Sequence, residues 1–224
     1  MRLWLKNNSL SLFFLLLFLG ALAGQSVAGQ RVFNEEQLQH GGETVTYARY
    51  LISSHFGSAV LENWQSEYLQ FAFFILATVW LIQRGSNESK KPDDIGLESD
   101  QLQLVGPHAQ QNSPRLAKVE GWARRIYENS RIIVMAAIFL AAWFGQSVTA
   151  WSEYNDEQRE HGSTPASWLG YVGRADFWEK TLQNWQSEFL AVGTMAVFTI
   201  YLRQRGSPES KPVGAPHDQT ASSG

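Results

Sequence analysis

Four stretches nearly free of charge alternate with polar ones along this chain: Leu10 to Ala28, Tyr68 to Ile82, Ile132 to Ala150 and Phe189 to Leu202. The first and third are about 19 residues long, enough for a helix rising 1.5 Å per residue to cross a ~30 Å hydrocarbon layer. The second and fourth are shorter. They reach that length if their helices begin upstream near Trp64 and Trp185, where an indole sits well at headgroup level. The pattern predicts an all-α membrane protein with four transmembrane helices.

The four stretches come in two matched pairs. Asn63-Trp64-Gln65-Ser66-Glu67 returns unchanged as Asn184-Trp185-Gln186-Ser187-Glu188. The same offset superposes Gly24-Gln25-Ser26-Val27 on Gly145-Gln146-Ser147-Val148, and Gln83-Arg84-Gly85-Ser86 on Gln204-Arg205-Gly206-Ser207. Between residues 8 and 90 roughly thirty positions match without a gap, which marks a tandem duplication of a unit too long for a solenoid. The expected organisation is a first two-helix repeat over 8–90, a cytoplasmic linker over 86–128, a second repeat over 129–211 and a disordered tail over 212–224.

Residues 2–23 also read as a secretory signal, with Arg2 and Lys6 before Leu10–Leu19 and Ala21-Leu22-Ala23 as a small-residue cleavage site. The repeat favours a retained helix, because residues 132–150 are its counterpart in mid-chain. Composition changes the picture little: 17% charge and a mean hydropathy of −0.23 suit a soluble domain, and the average hides the segregation. The chain has no cysteine, which excludes a lipoprotein anchor, disulfides, thiolate metal sites and iron–sulfur clusters.

Charge sets an expected topology, since Lys and Arg near helix ends stay cytoplasmic. Arg2 and Lys6, the set from Arg84 through Lys90, Lys91, Arg115, Lys118, Arg124, Arg125 and Arg131, and then Arg203, Arg205 and Lys211 fall on one side. Both termini are therefore expected in the cytoplasm of a bacterial cell, the protein in the inner membrane, and the halves related by an axis along the membrane normal. Within the linker, 85–113 lacks apolar periodicity and reads as mobile. From Pro114 to Tyr127, Leu116, Val119, Trp122 and Ile126 recur at helical spacing among basic residues, which suits a helix on the anionic inner leaflet or an extension of the third span.

The outer loops carry repeated polar residues. Asn34-Glu35-Glu36-Gln37 matches Asn155-Asp156-Glu157-Gln158, and His40-Gly41 matches His161-Gly162, where glycine can end a helix leaving the membrane. Short helices are expected over Tyr47–Ile52 and Trp168–Val172, capping a four-helix bundle. Opposite Gly162-Ser163-Thr164-Pro165 the first copy has Gly41-Gly42-Glu43-Thr44, so a looser turn is expected there.

Motifs GQS, NEEQ or NDEQ with HG, NWQSE and QRGSxESK together resemble a bacterial integral-membrane family catalogued only as a domain of unknown function (family 6766). The resemblance covers nearly the whole chain and implies a four-helix membrane protein without an assigned activity.

Two groups of residues could carry chemistry. Glu36 with His40 and Glu157 with His161 share helix faces, and together they offer a two-His, two-carboxylate site for Zn or a similar ion; the blander reading is a helix cap or surface ion pair. Gln25, Ser26, Gln146 and Ser147 at the ends of two helices, with Asn63, Trp64, Gln65, Ser66, Glu67, Asn184, Trp185, Gln186, Ser187 and Glu188 on the others, form the second group. This polar cluster is expected to fix helix packing by hydrogen bonds, with Gln25, Ser26, Gln146 and Ser147 serving Glu67 and Glu188. No nucleophile–base pair, phosphate loop or cofactor motif is present in the sequence. The expected role is a non-catalytic membrane scaffold or accessory protein, without cofactor or nucleic acid, whose partners are the bilayer and an unidentified membrane protein or a second copy. The alternatives are a small-solute or ion pathway, which lacks charged groups at the span centres, and an outer-face metal-dependent enzyme resting on the Glu–His pairs.

Overall fold

The computed structural model describes residues 2–221. Among them are eight α-helices and no strand: α1 (Arg2–Asn7), α2 (Ser9–Gln39), α3 (Tyr47–Leu51), α4 (Ser54–Trp80), α5 (Trp122–Glu128), α6 (Ser130–Glu160), α7 (Trp168–Val172) and α8 (Ala175–Tyr201). The helices α6, α7 and α8 begin and end 121 residues after α2, α3 and α4.

Two helices, α2 and α6, are long and apolar enough to cross a membrane. At 31 residues each they extend ~46 Å, and the apolar part of each is followed by polar last turns. At 27 residues each, α4 and α8 reach ~40 Å; they start at Ser54 and Ala175 and run through the NWQSE motifs.

Glycine ends α2 and α6 as its position suggested. Gly41 and Gly162 take positive φ values of 78° and 67°, a conformation in which a side chain would clash with its own backbone. After each, the amide of the next residue bonds back five positions, Gly42 to the Gln37 carbonyl and Ser163 to the Gln158 carbonyl, both at 2.7 Å. These are Schellman closures. The turn in the first copy is therefore no looser than that in the second, because the glycine and the two backbone bonds set its shape and residues 43 and 44 do not.

The repeated QRGSxESK motif is a helix-ending turn. Gly85 and Gly206 again take positive φ, and the hydroxyls of Ser89 and Ser210 accept from the amides of Gln83 and Gln204 at 2.8 and 2.9 Å. Beyond it the linker contains three single 3-10 turns and α5. The helix expected over 114–127 is confined to Trp122–Glu128, because Gly121 enters it with φ of 85° and breaks the periodic segment. The segment read as mobile is tied by the Lys90 ammonium to the Gly96 carbonyl at 2.9 Å and to Glu98 at 2.8 Å. Residues 212–221, expected to lack order, hold no regular element but surround the Lys211 ammonium, which is 1% exposed. It donates to the carbonyls of Gly85, Pro216, His217 and Gln219 at 2.7 to 3.1 Å. Residues 222–224 lie outside the described residues.

The chain divides into two compact units, each drawing on both halves. The first comprises residues up to 60 with 146–168, and its buried side chains include Tyr50, Ser26, Ala150 and Asn155. The second comprises 61–145 with the residues from 169, and buries Gln65, Leu69, Ala142, Tyr171, Phe177 and Thr181.

Candidate functional site

In the first unit, asparagine organises both outer loops. Asn34 accepts from the Val45 amide at 2.8 Å and donates to its carbonyl at 3.1 Å. Asn155 does the same with Ala166 at 2.8 and 3.0 Å. A side-chain amide paired both ways with one residue substitutes for a strand partner and pins the loop to its helix. The serines of the GQS motif are engaged here as well. Ser26 pairs with the Tyr47 hydroxyl at 2.6 Å, and Ser147 accepts from the Trp168 indole at 3.1 Å. Both serines thereby hold the first residues of α3 and α7. Gln25 is exposed while Gln146 is buried.

The structure does not assemble the metal set. The His40 and His161 rings do approach, with centroids 6.3 Å apart. Each ring places Nδ1 2.8 Å from a carbonyl of its own last turn, that of Glu36 or Glu157. That is a capping bond, which uses the imidazole without the carboxylate. Among the described residues no group of three or more His, Cys, Asp or Glu is placed to hold a metal ion. A different pair forms nearby: His55 Nδ1 lies 3.3 Å from Glu153, beside buried Tyr50, whose ring is 6.0 Å from that of His55. Burial first, then the Glu153 and Glu36 carboxylates, push the Tyr50 hydroxyl up from the ordinary tyrosine range.

The second unit holds the NWQSE motifs, and the two copies sit differently. Gln65 and Ser66 are buried whereas Gln186 and Ser187 are exposed. Asn63 and Glu67 are exposed, as is Trp64, but Asn184, Glu188 and Trp185 are half-buried. The Trp185 indole donates to Gln65 Oε1 at 2.6 Å, and the Asn184 amide donates to Glu62 at 2.7 Å. The structure therefore brings Gln65, Asn184 and Trp185 into bonds between α4 and α8.

Around Trp185 lies a cluster that motif reading missed. Trp143 stacks on Phe139 with centroids 5.7 Å apart at 14° and on Phe177 at 6.2 Å and 26°. It meets Trp178 at 6.0 Å and Trp185 at 5.9 Å. Contacts of this kind are worth ~0.5–1.5 kcal/mol each beyond the burial of apolar area. Three polar atoms inside the cluster have no partner within the chain: Gln65 Nε2, Trp143 Nε1 and Thr181 Oγ1. Each unpaired buried group of this kind costs ~1–3 kcal/mol. The signal available in the sequence was departure from the repeat, since Trp143, Trp178 and Thr181 stand opposite Leu22, Gly57 and Val60.

At the other end of the second unit, Glu88 is half-buried, with Oε1 unpaired. Burial first, then the repeat-equivalent Glu209, push its carboxyl above the usual range. Burial, followed by Arg203, pushes Lys211 down from the ordinary lysine range.

The profile of a family described as Domain of unknown function (DUF6766) matches residues 1–222. No curated protein and no solved structure matches the chain.

Proposed function

We propose that this chain, which belongs to the DUF6766 family, is a non-catalytic scaffold of the bacterial inner membrane. It crosses four times as two parallel two-helix repeats, with α2, α4, α6 and α8 as spans and both termini cytoplasmic. The observation that carries this reading is the open surface of α2. Only 6% of its apolar stretch is buried, against 17% for that of α6. Gly20 and Gly24 lie four residues apart on one face, and a Cβ added to either would meet nothing within 4 Å. Small residues so spaced let helix backbones approach closely within a bilayer. Gly145, the repeat equivalent of Gly24, is covered: a Cβ there would lie 2.9 Å from Leu61 Cδ1. On this reading α2 accepts a helix from another membrane protein or from a second copy.

The test uses the cysteine-free background. Gly20→Cys and Gly24→Cys in native membranes, treated with a short bis-maleimide, should yield a discrete higher-mass adduct. Leu15→Cys, at an exposed position on the opposite face, should yield less. Absence of any adduct from all three would remove the scaffold role of α2.

A second reading, a pathway for a small neutral solute, is favoured by the unpaired polar atoms around Trp143. Flux through reconstituted vesicles separates it from the first.

A further inference from the structure

The donors gathered at the aromatic cluster of the second unit outnumber their acceptors. Gln65 and Thr181 are both 0% exposed, yet Gln65 Nε2 and Thr181 Oγ1 have no partner within the chain, and neither does the buried Trp143 Nε1. Contacts through Trp185 and Phe177, together with helix spacing, draw the three residues to one region. Gln65 is tied through Oε1 to the Trp185 indole at 2.6 Å, and the Trp185 ring packs on Trp143. Trp143 also stacks on Phe177, and Thr181 lies midway between Phe177 and Trp185, one turn from each on the same face of α8.

We propose that a single water molecule is bound here, accepting hydrogen bonds from Gln65 Nε2 and Trp143 Nε1 and donating one to Thr181 Oγ1. The chemistry of the three groups selects it. An amide N–H and an indole N–H can only donate, so a cation finds too few acceptors. A bare anion would meet no compensating charge in an apolar surround. Water offers two acceptor and two donor sites, and buried waters typically make about three bonds. The stacked rings occupy the apolar faces and leave only the polar edge to a ligand. The water joins α4, α6 and α8 at one point.

The site belongs to the second copy. Leu22 and Val60 stand where Trp143 and Thr181 are, so the first copy has apolar side chains at both positions. In the second copy each position carries a polar atom without a protein partner, which packing by itself does not require.

The test is water–protein NMR on the full chain, labelled with 15N-tryptophan and held in lipid nanodiscs. Dipolar cross-relaxation at the water frequency should reach the Trp143 indole proton, identified by its loss in Trp143→Phe. A Trp143 indole proton coupled only to lipid or to neighbouring side chains would overturn the proposal. A thermal double-variant cycle supplies the second readout. Thr181→Val combined with Trp143→Phe should lower the melting midpoint no further than the worse single variant, because either change alone removes the bridge. Thr181→Ser, which retains the hydroxyl, should melt close to wild type. Additive losses in the double variant would overturn the bridge, whatever the NMR result for water nearby.

Discussion

The two halves use one backbone plan for different chemistry. Gly24 and Gly145 are equivalent, and one faces open space while the other is closed over by Leu61. Trp64 is 38% exposed, whereas Trp185 is half-buried. Leu22 and Val60 stand opposite Trp143 and Thr181, which lie in a stacked and partly polar cluster. What survives unchanged in both copies is the scaffolding of the loops: the asparagine clasp, the Schellman glycine and the serine that closes QRGSxESK. The loops thus keep one structure in both copies, while identical residues such as Gly24 and Gly145 meet different surroundings on the long helices.

The largest effect should come from the cluster. Phe177 is buried at its centre, so Phe177→Ala should cost ~3–5 kcal/mol, read as the thermal midpoint of detergent-solubilised protein. Phe56→Ala, at the half-buried equivalent, should cost markedly less. Equal losses would mean that the halves are packed alike. Next come the glycines. Gly145→Val forces Leu61 aside and should destabilise by ~1–3 kcal/mol, while Gly24→Val should leave the midpoint nearly unchanged and weaken crosslinking through α2.

Where the copies agree, substitutions should agree as well. Asn34→Ala and Asn155→Ala each leave a loop amide and carbonyl without their shared partner, for ~1–3 kcal/mol apiece. The loss at buried Asn155 should be the larger of the two. A null effect at both would show that the clasp does not hold the loops.

The smallest effect is a pH effect. The folded chain holds the Glu88 proton more tightly than the unfolded chain does, because its carboxyl is pushed up. Stability from this group is therefore fully present below the unfolded value and is lost as pH rises through the raised folded value. Glu88→Gln should accordingly raise the midpoint slightly at pH 7, by ~0.5 kcal/mol or less, and its advantage should vanish in mild acid. Glu209→Gln, at an exposed carboxylate, should do so more weakly.

Much of the helical plan was legible in the sequence because its determinants are local. Charge-free length, Gly41 and Gly162 as stops, and the fixed offset between copies foretold α2 and α6 and the short α3 and α7. The linker helix was only half legible, since Gly121 interrupts a pattern that Leu116, Val119, Trp122 and Ile126 otherwise satisfy. The candidate site was read less well. His40 and His161 fall just past the ends of α2 and α6, where a histidine meets a backbone carbonyl sooner than a carboxylate. The cluster around Trp143 depends on side chains brought together from residues 65, 139, 143, 177, 181 and 185, and no local spacing announces that. Lys211 was counted as a basic marker of topology, whereas four backbone carbonyls converge on it.

Every comparison between the halves presumes that both enter the membrane in the same sense, and thiol labelling in intact cells tests this directly. Single Gly42→Cys and Ser163→Cys variants should react with an impermeant maleimide, and Ser99→Cys should react only after the membrane is opened. Labelling of Ser99→Cys in intact cells, or protection of one outer-loop variant but not the other, would contradict four spans arranged as two parallel pairs.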